Sequence, residues 1–280
     1  MTIVPPRYVL LERKVRPRPD RIWTIFAVST RLRGARLGPL LLTAFGFVAT
    51  FVPLLLVALL VSSGLGGGAS LSTFYQAYTN PALLLFTMLM SAVVGSGIIS
   101  DDLKTRSISL YLSRPITVGD YLVAKSGVVA LMLAILAILP GVLTALLTAI
   151  LGFVSWTVAG EAAVVFVGVG ALVVLTFTGI SVLLSSLTER RGLAAAGIFA
   201  TVFLIEIIAA ILTAATSTPA FDYLSPWEDL LAVARAGFGV PSFTPPALDP
   251  YIALSVLAGL IPASFGITYL RLLRLEVLTD

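Results

Sequence analysis

Two adjacent carboxylates, Asp101 and Asp102, head a polar stretch (residues 99–125, ISDDLKTRSISLYLSRPITVGDYLVAK) that also holds Lys104, Arg106, Arg114 and Lys125. Paired acids serve metal binding or acid–base work when both converge on one point. Neighbours on a helix point about 100° apart, so this pair diverges and neither chemistry is expected of it. Surface ion pairs around a solvated turn are the plainer reading, each worth roughly 0–1 kcal/mol. A different acid, Glu206, sits within an apolar run, TVFLIEIIAA (201–210). A charge there costs at least about 2.5–3.5 kcal/mol in lipid, so Glu206 must face protein or a water-filled cavity. Two readings stand side by side: a cavity-lining contact to a polar or cationic substrate, and a protonated Glu bonded to a hydroxyl of a neighbouring helix. Gly95-Ser96-Gly97 has the small residues of a nucleophile site, but the chain contains no histidine to activate the serine. Close helix packing is the expected use of that triplet.

The absence of His and Cys removes disulfides, iron–sulfur clusters, thiolate chemistry, haem His ligands and HExxH zinc sites. No metal site is expected. What remains must position the polar stretch, and composition says what does so. Over 280 residues the chain is 58% hydrophobic and 11% charged, with too few polar residues to cover a soluble core. Apolar runs near the length needed to cross a bilayer, about 20 residues, recur along it. The fold class is therefore an all-α polytopic membrane protein.

Six spans are expected at approximately 39–63, 81–100, 120–151, 161–187, 192–216 and 250–271, forming one domain over 39–271. The third is long enough for a bend near Pro140-Gly141 or a stretch outside the hydrocarbon. Residues 1–38 form a basic N-terminal segment, 100–120 a connecting loop, 217–249 a longer loop and 272–280 a short tail. Residues 1–20 do not read as a signal peptide. Asp20 can cap a helix over 21–36, whose mixture of apolar and basic residues suits the membrane interface. Trp23 would lie at headgroup depth, with Arg31, Arg33 and Arg36 facing lipid phosphate.

Seventeen of the eighteen Lys and Arg residues fall on alternate loops; Arg235 is the exception. The positive-inside rule then puts both termini and the 100–120 loop in the cytoplasm, in a multi-pass arrangement that fits a prokaryotic plasma or inner membrane. The arginines flank spans and no aromatic stacking platform accompanies them, so membrane lipid, not nucleic acid, is their expected partner.

Within the loop, Ser100 can cap a short surface helix whose first turn holds Asp101 and Asp102, favourably placed against its dipole. Arg114-Pro115 would end that helix. Thr117 with Asp120 three residues later forms a capping box opening the third span. In the 217–249 segment, PWEDLLAVARAGF is expected as a short amphipathic helix at the outer interface, with Pro226 in its first turn.

The segment SDDLKTRSISLYLSRPITVGDYLVAK resembles the loop between spans two and three of ABC-2-type permeases, the membrane subunits of ATP-binding-cassette transporters. The basic N-terminal helix, the six spans and the long loop before the last span extend the resemblance to most of the chain. One departure stands out: Arg106 occupies a place where the family has Gly. The resemblance implies that the loop is a coupling helix seated in a groove of a cytoplasmic ATPase. Asp101, Asp102, Lys104, Arg106, Arg114, Pro115, Thr117 and Asp120 would form the docking and coupling segment. It implies a separate ABC ATPase dimer carrying ATP and magnesium, no cofactor on this chain, and a second permease chain making a homodimer. The chain has no GxxxxGK[ST] phosphate loop and so is not expected to be the ATPase. The function implied is an ATP-driven exporter permease, with the 217–249 segment a lid over its exit. An ion- or proton-coupled carrier using Glu206, and a non-transporting scaffold for a cytoplasmic protein, are the alternatives.

Overall fold

A computed structural model of the chain describes residues 17–34, 36–61, 70–107, 116–241 and 248–277. Among these residues every regular element is helical. Six helices are long and apolar enough to cross a membrane: Leu37–Leu60, Pro81–Lys104, Val118–Ile150, Trp156–Leu187, Arg191–Thr216 and Pro250–Leu275, here spans 1 to 6. The all-helical, six-span class read from the sequence is the one observed. An additional N-terminal helix, Arg18–Gly34, precedes span 1.

Local signals set the helix starts. Asn80 caps span 2 by accepting from the Ala82 N–H at 3.0 Å, with Pro81 in the first turn, and its amide donates to the Ala49 carbonyl of span 1 at 3.1 Å. Thr117 and Asp120 form the expected capping box of span 3. Ser155 caps span 4. The helix of span 3 is interrupted at Ile138, two residues before Pro140, next to the Pro140-Gly141 pair at which the sequence reading allowed a bend. Next to that bend Gly141 admits the Phe166 ring of span 4, since a Cβ there would lie 2.2 Å from Phe166 Cδ1.

Spans 2, 3 and 4 are half or more buried and make the core, while spans 1, 5 and 6 are largely exposed. The exposed faces of the outer spans are apolar, with Phe45, Leu56, Phe203, Ile211 and Leu270 uncovered. A soluble protein hides such residues; a membrane protein shows them to lipid or to another chain. With an even number of spans, the N-terminal helix, the connection after span 2, the turn 188–190 and the end of span 6 share one end of the bundle. We call it the basic end.

Three helix placements differ from the sequence reading. The N-terminal helix begins at Arg18, so Asp20 lies within its first turn and is not its cap. Span 2 does not stop near residue 100 but continues to Lys104. Ser100 is therefore no cap: its hydroxyl donates to the Ser96 carbonyl within the helix, fully buried. The short helix Pro226–Gly237 also does not rest on the outer surface. Trp227 packs edge-on against Phe177 (centroids 6.4 Å apart) and Phe238 against Phe166 (5.0 Å). These two phenylalanines are about 16 Å apart along span 4. The helix thus lies against spans 4 and 6 with its N-terminal end deep in the bundle. Trp227, Leu230, Ala234 and Phe238 make its apolar stripe. Such a stripe suits headgroups and a neighbouring helix equally, and here span 4 covers it.

Candidate functional site

The connection from span 2 to span 3 is gripped at both roots. At its start Asp101 and Asp102 occupy the last turn of span 2, where the helix dipole opposes them. Cations from other elements offset this. Arg33 of the N-terminal helix lies 3.4 Å from Asp101 Oδ2. Lys125 of span 3 lies 2.6 Å from Asp102 Oδ2, and the Tyr121 hydroxyl donates to the same oxygen at 2.7 Å. At the far root Arg18 reaches Asp120 through Nε (2.8 Å) and Nη2 (2.7 Å). Its hydrogen bond to Asp120, then the charge of Asp120, raises the Arg18 pKa above its ordinary value.

The N-terminal helix is thereby a strut with Arg18 at one end and Arg33 at the other, each bound to one root of the connection. It follows span 3: Phe26 packs on the small face at Gly127, and Gly34 faces Met132. Of the residues expected at the lipid surface, Trp23, Arg31 and Arg36 are exposed. Arg33 instead turns into the protein, donating to the Gly97 carbonyl at 2.6 Å and the Val94 carbonyl at 3.4 Å. Burial lowers its pKa from the usual arginine value, while Asp101 and Asp102 act in the opposite sense.

Between its roots the connection shows Lys104 and Arg106 at the surface. Arg106 follows the helix end at Thr105 and has φ 52°, the left-handed conformation in which helices commonly end on glycine. The place where the resemblance puts Gly is thus one whose backbone favours it. Arg114 and Pro115 lie outside the described residues, as does the expected helix beyond Ser107.

Above Asp101, span 2 widens into a π-helical turn at Ser91–Gly95. Arg191, the first residue of span 5, donates to the Val93 carbonyl at 2.6 Å. Ser185 of span 4 donates to the Ser96 carbonyl at 2.6 Å and accepts from the N–H groups of Ile99 and Ser100, both at 3.0 Å. Gly95 makes the contact possible, because a Cβ there would come within 2.5 Å of Ser181 Cβ. The Gly-Ser-Gly triplet is a packing surface, as its small residues suggest.

Glu206 lies near the middle of span 5 and accepts a hydrogen bond from the Ser225 hydroxyl. Ser225 also caps the inserted helix, accepting from the Glu228 N–H at 3.3 Å. Asp222 accepts from the Thr213 hydroxyl of span 5 at 2.6 Å. The segment after span 5 therefore runs back along that span before the inserted helix begins. Of the two readings of Glu206, the hydroxyl-bonded one describes its contact, with the donor coming from the inserted segment.

Sequence reasoning passed over Arg18, Tyr121, Lys125, Arg191, Ser185 and Ser225 as partners. Lys125 carried a usable signal, being a lysine two turns into an apolar span and one turn along the same helical face from Tyr121. Among the described residues no three acidic side chains gather where a metal ion could sit.

Six apolar spans, a basic end and a gripped connection between spans 2 and 3 define a polytopic α-helical membrane protein. The family model described as ABC-2 family transporter protein matches residues 65–277, and the chain belongs to that family. It is a multi-pass membrane permease component of an ABC transporter. No curated protein matches the chain.

Proposed function

We propose that this permease is the membrane half of an ATP-driven exporter, coupled to a separate ATPase dimer through the connection between spans 2 and 3. ATP and magnesium belong to that ATPase. The observation that carries the reading is the double grip on the connection: Arg33 on Asp101 at one root and Arg18 on Asp120 at the other. A loop held at both roots passes a push to the spans instead of flexing. In this reading Asp101, Asp102 and Asp120 hold the loop, while exposed Lys104 and Arg106, with Arg114 and Pro115, face the ATPase. The basic end is cytoplasmic on the positive-inside rule. Export, in this reading, is the direction that the resemblance to ABC-2-type permeases favours. The exposed apolar faces of spans 1, 5 and 6 support a second permease chain and lipid as neighbours, and in this reading Glu206, bonded to Ser225, borders the translocation path.

The test is mild-detergent purification from native membranes, then an ATPase assay. A nucleotide-binding subunit should co-purify with vanadate-sensitive hydrolysis, and Lys104→Glu with Arg106→Glu should release it. Recovery of the chain with no such subunit would overturn the reading.

A further inference from the structure

Span 2 passes through two packing environments. Its first part, Pro81–Met90, packs on span 1, tied there by Asn80. Its last part, Gly97–Lys104, belongs with the connection, fastened to the N-terminal helix by Arg33–Asp101 and to span 3 by Asp102–Lys125. The π turn Ser91–Gly95 falls between the two. Such turns are rare, and they break the regular i→i−4 ladder. Here the carbonyls on and just after the turn are taken by side chains from three other elements: Arg191 on Val93, Arg33 on Val94 and Gly97, and Ser185 on Ser96. A guanidinium carries five donors in a fixed fork, so it can move from one carbonyl to the next while keeping the backbone bonded. Arg33 already reaches three acceptors, Val94 O, Gly97 O and Asp101 Oδ2.

We propose that the π turn is the hinge at which the connection-bearing end of span 2 moves, with Arg191 and Arg33 as the positioning residues that set its geometry. Arg191 reports to span 5, which carries Glu206, and Arg33 to the strut that grips the connection. A displacement of the connection is thereby shared between span 2 and span 5. The inference rests on the ATPase-coupling reading.

Hydrogen exchange on the co-purified complex in lipid nanodiscs tests it, comparing the nucleotide-free state with ATP plus vanadate. In the wild type, exchange over 91–99 should change by about tenfold and over 83–89 by less than about twofold. Arg191→Gln should abolish the nucleotide response over 91–99, and Arg191→Lys should restore at least half of it. A purely structural role would shift exchange equally with and without nucleotide. Equal responses over 83–89 and 91–99 in the wild type would mean that span 2 moves rigidly, and the hinge would be wrong. So would a full response in Arg191→Gln. A wild-type chain that keeps no ATPase would overturn the coupling reading, and the hinge with it.

Discussion

Lys125 Nζ lies 2.6 Å from Asp102 Oδ2, and the two side chains are only 5% and 14% exposed. One end of this pair is the last turn of span 2 and the other is span 3, so it closes the connection from within. The Tyr121 hydroxyl shares the same carboxylate oxygen and the Lys125 ammonium sits 5.6 Å from the Tyr121 ring centre.

Removing one member of a buried pair strands the other. Lys125→Met should therefore destabilise the protein by about 3 kcal/mol, as should Asp102→Leu alone. The double variant should recover most of the loss, leaving the unpaired Tyr121 hydroxyl at about 1 kcal/mol. Thermal unfolding in one detergent checks this. Charge reversal at Asp102 should accordingly lower stability, whereas an acid reserved for docking would leave the spans unaffected.

That distinction marks how far the sequence could be read. Span number and the Thr117–Asp120 cap were legible, because hydropathy and capping act within one segment. The pairing of Asp101 with Arg33 was not, because Arg33 comes from an element 68 residues away, and Lys125 showed only as a lone lysine in an apolar span, its partner Asp102 lying 23 residues away. The start of the surface helix was misplaced for a local reason. Ser100 before two acids looks like a cap, yet span 2 continues through it once Ser185, Arg33 and Lys125 supply the missing partners. The depth of the inserted helix was also hidden, since its apolar stripe does not say whether lipid or span 4 covers it.

Arg106 holds a left-handed backbone conformation. Its φ of 52° costs an L-residue roughly 1–2 kcal/mol that glycine does not bear. Arg106→Gly should raise thermal stability, offset in part by the loss of the arginine's own contacts. Arg106→Val should lower it, because a branched Cβ is least at ease there. Comparing Gly with Val at this one position separates the backbone effect from the loss of charge, which both share.

Gly141 is a packing requirement of the core. The Phe166 ring occupies the space of its missing Cβ and stacks at 5.9 Å on Tyr78, at 22° between planes. Gly141→Val should cost about 1–3 kcal/mol by overpacking. Adding Phe166→Leu should restore part of the loss by giving the new methyl groups room. Two losses that simply add would mean that the ring yields elsewhere.

The Ser225 hydroxyl donates to Glu206 and caps the inserted helix. Ser225→Ala removes both contacts, and loss of the cap alone should cost about 1 kcal/mol. Glu206→Gln keeps an acceptor oxygen for the same hydroxyl, so it should remain near wild-type stability. Trp227, two residues from Ser225 and 5% exposed, reports directly on the inserted end. With Trp23 and Trp156 replaced by Phe, its emission should move to longer wavelength in Ser225→Ala and stay in place in Glu206→Gln. An unchanged spectrum in Ser225→Ala would show that the apolar stripe on span 4, rather than the Glu206 contact, holds the inserted end in the bundle.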